Sequence, residues 1–171
     1  MSPNPGVAMT YLRVPPTLEG EPDPARIARL VFGAADWRRR HPAERVIDIA
    51  GAWQVLHYLI TGDPWDGKAP EADVVCGGRL LTEDGTDELG MDVIYLAPDR
   101  VKPVADHLGG TPFDVIAGRY DLNGMVKADV QGAKGWTPDM RDRVLRPAYE
   151  ALTRFYAGAA QDGQAVYKVM S

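Results

Sequence analysis

Asp48-Ile49-Ala50-Gly51-Ala52-Trp53-Gln54-Val55-Leu56-His57-Tyr58-Leu59-Ile60-Thr61-Gly62 carries the clearest structural signal in the chain. Ile49, Trp53, Leu56 and Ile60 recur at spacings of four and three, which lines them along one face of an α-helix. Ala52, Val55 and Leu59 widen that stripe, so the helix is expected to be buried over most of its circumference. Asp48 reads as its N-cap, because a short carboxylate can accept the unpaired N–H groups of a first turn. Gly62 suits the left-handed residue that closes a helix, and Pro64 prevents continuation. Asp63-Pro64-Trp65-Asp66-Gly67 then reads as a turn that displays an aromatic side chain.

Outward from this helix, Pro and Gly mark where the other elements start and stop. Val7 to Val14 alternates like a strand and is stopped by Pro15-Pro16. Asp23-Pro24 has the cap-then-proline form of a helix start, and that helix runs to Phe32 before Gly33. Val74 to Cys76 is expected to be a short buried strand ending at Gly77-Gly78, and Met91 to Leu96 a second one. Pro98 opens a helix with Val101, Val104, Ala105 and Leu108 on its inner face, closed by Gly109-Gly110 and shortened by Pro103. Thr111-Pro112-Phe113-Asp114 resembles a capping box for a short helix through Ala117, and Asp121 caps another from Leu122. After Thr137-Pro138 comes a long helix that Pro147 must kink or split, then a last strand from Ala165 to Val169. The expected organisation is a disordered leader over residues 1–6 followed by one domain over 7–171. Its fold class is mixed α+β, with several helices packed on a small sheet.

The composition narrows the chemistry. Of 171 residues, 45% are hydrophobic and 25% charged, which is enough apolar surface for a sizeable core. Lys and Arg number 19 against 24 Asp and Glu, and a net charge of -5 argues against a phosphate-backbone binder. The cluster Trp37-Arg38-Arg39-Arg40-His41 therefore reads as a solvated face, with nucleic acid not expected as a partner. Cys76 is the single cysteine, so no intrachain disulfide or thiolate metal cluster can form, and the expected location is the cytoplasm. No signal peptide or membrane-spanning run is read, and no membrane partner is expected. Ser2 and Ser171 are the only serines, which excludes a serine nucleophile within a motif. His41, His57 and His107 are too widely spaced for a zinc-type ligand set, and no phosphate- or dinucleotide-binding glycine motif occurs. Neither a metal nor a cofactor is expected.

The run Ile49-x-x-Ala52-Trp53-x-x-Leu56-His57-x-Leu59-Ile60-Thr61-Gly62 followed by Asp63-Pro64-Trp65 resembles the YfbM-like family of small bacterial proteins. Met9-Thr10-Tyr11-Leu12-Arg13-Val14, Gly77-Gly78, Tyr95-Leu96-x-Pro98, Arg119-Tyr120-Asp121 with Met125, and Leu152-x-x-Phe155-Tyr156 extend the likeness from Met9 to Met170. The resemblance implies a compact domain with helices on a small sheet. It carries no assigned activity, so no catalytic residue follows from it. Gly51, where members tend to have a long basic residue, and Ala97, where a capping Thr or Ser is expected before Pro98, depart from the pattern.

Three constellations are candidates for chemistry. His57, one turn beyond Trp53, can pair with Asp63 or Asp66 beside Trp65 as an acid/base or anion-binding pair, or can simply hydrogen-bond the turn. Gly77-Gly78 offers a close backbone approach to the same loop-lined cleft. Arg119-Tyr120-Asp121 offers a cation, a hydroxyl and a carboxylate to a ligand, or a surface ion pair and a helix cap. The expected function is a non-enzymatic binding or interaction module, immunity-type or regulatory, that takes another protein or a small ligand. The alternative is a small hydrolase or transferase using His57 with Asp63 or Asp121.

Overall fold

Five short strands form the centre of the protein in its computed structural model, which describes residues 7–16, 20–82 and 91–171. The leader expected over residues 1–6 lies outside the described residues. The strands are β1 (Met9–Val14), β2 (Val46–Ala50), β3 (Arg79–Leu80), β4 (Asp92–Leu96) and β5 (Ala165–Met170). They make one sheet in the order β2-β1-β5-β4-β3 with every neighbouring pair antiparallel. The first and last strands thus pair at its middle, Met9 opposite Met170 and Val14 opposite Ala165. Ala8 and Ser171 extend that pairing by exchanging backbone hydrogen bonds at 2.7 and 3.0 Å.

Alternation along the strands gives the sheet two buried faces. Leu12, Val93, Tyr167 and Val169 pack under α1 (Pro24–Phe32), against Ile27, Ala28 and Phe32. Trp37 closes this smaller core, its ring 4.8 Å from that of Phe32 in an edge contact. Met9, Tyr11, Leu96 and Val166 project to the opposite side, into the larger core. That core is built from α2 (Trp53–Thr61), α3 (Pro98–Gly109), α4 (Phe113–Ala117), α5 (Leu122–Lys127) and α6 (Arg146–Gln161). The fold is mixed α+β, as the sequence implies.

Several local expectations give way to tertiary structure. Asp48 does not cap α2: it sits in β2 opposite Thr10, and its Oδ1 accepts the Ala50 N–H at 2.6 Å. Val46 to Ala50 satisfies the two-residue period as well as Ile49 satisfied the helical one, and pairing with β1 decides between them. Ala50 then turns the chain with φ 48° into α2. Val74 to Cys76 is no strand either. Glu71–Val74 is a 3-10 turn, Cys76 follows in an irregular bend, and the sheet resumes only at Arg79. The capping box at Thr111 is not made, since Pro112 holds the cap position and no side chain bonds the first turn of α4. Pro103 fails to shorten α3 because it lies on the solvent side. Pro147 does not split the helix: a π-helical turn at Arg141–Leu145 runs straight into α6 with Leu145 and Arg146 in right-handed helical backbone, and this widened turn lies just before the residue that lacks an N–H.

The basic cluster at Trp37 is largely answered locally. Arg38 stacks 5.4 Å from the Trp37 ring centre and reaches Thr10, while Arg40 pairs with Asp36 at 3.2 Å.

Candidate functional site

The loop after α2 is fixed from four sides. Gly62 takes φ 86° and closes the helix by donating to the Tyr58 carbonyl. The Thr61 hydroxyl lies 2.9 Å from the carbonyls of His57 and Asp63 and accepts the Asp63 N–H at 3.1 Å. Asp63 Oδ1 accepts the N–H groups of Trp65 and Asp66, both at 2.8 Å, and these bonds hold its carboxyl below the usual carboxylate range. His57 Nε2 donates to the Asp66 carbonyl at 3.0 Å.

His57 itself is fully buried, at 0% exposure. Burial pulls its pKa below the ordinary value, and the Lys168 charge adds to that, against the Asp66 carbonyl and Asp63, which raise it. The ring is therefore neutral near pH 7, with its proton on Nε2, because a carbonyl can only accept. Nδ1 is buried with no hydrogen-bond partner among the described residues. In front of it Trp65 stays 48% exposed, its ring 5.6 Å from that of buried Trp53. Trp53, His57, Asp63 and Trp65 thus form one assembly, and the histidine serves as a strut behind the displayed aromatic.

Gly77 and Gly78 belong to a neighbouring feature, the irregular segment from Glu71 to Gly78. Its carbonyls at Asp73, Val74 and Gly77 have no sheet partners among the described residues and are met by side chains from three elements. Tyr11 of β1 and Tyr156 of α6 both donate to the Val74 carbonyl at 2.8 Å. Lys168 of β5, itself 0% exposed, donates to the carbonyls of Asp73 and Gly77. Desolvation lowers the Lys168 pKa to about 7, the protonated amine being the form that burial disfavours. Asp73 binds Arg100 through Nε at 2.9 Å. Burial pushes the Cys76 thiol up to about 11, so it stays a thiol. A Cβ on Gly77 would lie 2.4 Å from Asp73 Oδ1, and one on Gly78, at φ 124°, 2.7 Å from Ile94. Both glycines are demanded by packing.

Arg119, Tyr120 and Asp121 point to separate tasks. Arg119 Nη1 donates to the carbonyls of Leu59 and Ile60 at 2.9 and 3.0 Å, bracing the end of α2. The Tyr120 hydroxyl donates to the Thr137 carbonyl at 2.5 Å. Asp121 caps α5 by accepting the Gly124 N–H at 3.2 Å. Lys168, Asp73 and Arg100 are the residues that sequence reasoning passed over, while Tyr11 and Tyr156 entered it only within the motifs of the family likeness. Lys168 alone left a signal, as the one charge in the apolar run Ala165 to Met170.

Among the described residues no cluster of His, Cys, Asp and Glu is placed to hold a metal ion. No helix among them is long and apolar enough to cross a membrane.

An antiparallel five-stranded sheet with the terminal strands at its centre, one helix on one face and five on the other, defines a small α+β domain class. The chain belongs to the family described as Domain of unknown function (DUF1877), whose model matches residues 6–168. It is similar in structure to YfbM from Escherichia coli, a protein of unknown function, with a TM-score of 0.67 and 14% sequence identity. That likeness covers 96% of this chain and 99% of the other, and at this identity it is a likeness of fold. The resemblance drawn from the Trp53-to-Trp65 motif therefore holds. A comparison with curated proteins finds no match.

Proposed function

We propose that the protein is a non-enzymatic binding module, immunity-type or regulatory, that recognises a basic segment of another protein through Trp65. The supporting observation is the half-exposed Trp65 ring on a loop held by Thr61, Asp63 and His57. A large aromatic on a pinned loop loses little freedom on contact, the property that makes such residues binding anchors. Asp63 and Asp66 flank Trp65 along the loop, and an exposed π-face on an acidic loop suits a Lys or Arg side chain. The net charge of -5 has the same sign.

The hydrolase or transferase alternative draws less support. His57 has no exposed surface and spends Nε2 on the Asp66 carbonyl, and Asp121 is spent on the Gly124 N–H. A photo-crosslinking phenylalanine analogue tests the binding reading when placed at position 65 and, as control, at exposed Leu30 on α1 across the sheet. In the native cells, position 65 should give a discrete protein adduct that position 30 does not. Identical adducts at both positions, or none at native expression, would count against it.

A further inference from the structure

A cavity bordered by Thr61, Gly67 and Lys68 lies beside the same loop, with Trp65 outside its wall. It has a volume of about 510 Å³, and Arg119, Lys68, Thr111, Ile60, Val115 and Ile116 supply the part of its lining that matters. That size is in the range of small-molecule sites.

Arg119 and Lys68 in this wall make no ion pair with a carboxylate among the described residues. Arg119 commits only Nη1, to the two carbonyls at the end of α2. Its Nε and Nη2, the edge that grips a carboxylate with two parallel hydrogen bonds, have no partner among the described residues. Those two carbonyl bonds also fix the guanidinium before any ligand arrives, which lowers the entropic cost of binding. Lys68 makes no ion pair among the described residues, and the one carboxylate in the wall, Glu71, faces His107 at 3.7 Å. Val115, exposed at 69%, adds apolar surface beside buried Ile60 and Ile116. Gly67 borders the cavity at φ 151°, where an added Cβ would meet Thr61 at 2.9 Å.

The other cavity described, of about 380 Å³ beside Phe113, is lined by Arg146 and Arg154, of which Arg146 is neutralised. Its Arg146 is held by Asp114 and Asp142, both at 2.8 Å, and stacks on Phe113.

We infer that the cavity between α2 and α4 binds a small organic carboxylate, with Arg119 and Lys68 on the head and Val115 and Ile116 against the apolar body. The inference does not rest on Trp65 binding a partner. Titration of the full chain with benzoate, benzamide and inorganic phosphate, followed by amide NMR shifts, tests it. Benzoate should give saturable shifts centred on Thr61, Gly67, Lys68, Ile116 and Arg119, and benzamide at the same concentrations should not. Lys68→Met and Arg119→Lys should each weaken benzoate about tenfold. Lys68→Met removes an exposed side chain with no partner among the described residues, so a loss of binding with unchanged thermal unfolding reads the site and not the fold. The inference is overturned by the absence of saturable shifts, by benzamide matching benzoate, or by Lys68→Met binding like the parent. Inorganic phosphate binding as tightly as benzoate would also overturn it, since the apolar wall would then contribute nothing.

Discussion

Lys168 Nζ donates to the Gly77 carbonyl oxygen at 2.7 Å, joining the central strand of the sheet to a segment with no sheet partners of its own. An amine in the middle of a strand's buried face thus does for this segment what a neighbouring strand would otherwise do.

Stability should depend on pH through that amine. The Lys168 pKa falls from an ordinary 10.5 to about 7 on folding, so between these values the unfolded chain binds more protons than the native one. Raising the pH from about 7 therefore stabilises the fold, by on the order of a few kcal/mol before other groups intervene. Cys76 opposes this above its ordinary 9.0, because the folded thiol keeps its proton up to about 11. Buried Tyr11 and Tyr156, both raised well above 10.0, add to the opposition at still higher pH. Urea midpoints should rise from pH 7 to about 9 and then fall, and in Lys168→Met the rise should be absent.

The two tyrosines that share the Val74 carbonyl should behave non-additively. Tyr11→Phe and Tyr156→Phe each leave one donor on that oxygen and should cost about 1 kcal/mol. The double variant leaves the oxygen buried without either hydroxyl and should cost more than the two together, by about 1 kcal/mol. A double-mutant cycle in urea measures the excess.

His57→Ala should release the loop by removing the donor to the Asp66 carbonyl and opening a cavity at a fully buried position. A loss of about 2–3 kcal/mol is expected, with Trp65 emission moving to longer wavelength. Gln carries an amide N–H that can make the same bond, so His57→Gln should recover part of both effects.

Gly77→Ala and Gly109→Ala should have opposite signs. At Gly77 the new methyl would meet the Asp73 carboxylate at 2.4 Å and the Ala72 carbonyl at 2.7 Å, and a loss of at least about 2 kcal/mol is expected. Gly109, in the last turn of α3, has nothing within 4 Å of an added Cβ. There alanine should add about 0.5–1 kcal/mol by restricting the unfolded chain. Thermal unfolding of the two variants reads both changes.

What the sequence disclosed was what is determined locally. Asp23 caps α1 by accepting the Ala25 N–H, Gly62 closes α2 in the left-handed region, and Asp121 caps α5, because each depends on a few adjacent residues. Asp48 misled because Ile49 fits both periods, and only the partner strand chooses between them. Val74 to Cys76 misled because buried apolar residues suggest a strand. Nothing nearby shows that the donors for this segment come from Tyr11, Tyr156 and Lys168. At the candidate site the Trp53, His57 and Trp65 assembly was legible as a motif on one helix and its following loop. The Arg119 and Lys68 cavity was not, because α4 must fold against α2 before the two cations face one space.

The pairing of β1 with β5 sets an order of events during synthesis. β1 is made before β5 and can take β2 as a ribbon, but its other edge waits for a strand that follows every other element of the fold. Neither core can close before then, since Tyr167 and Val169 complete one and Val166 the other. Until β5 emerges, the nascent protein carries an open strand edge beside Leu12 and Tyr11, a template for pairing with other chains. This fold is therefore completed only once β5 has been made, and the partly made domain is the form most in need of a chaperone.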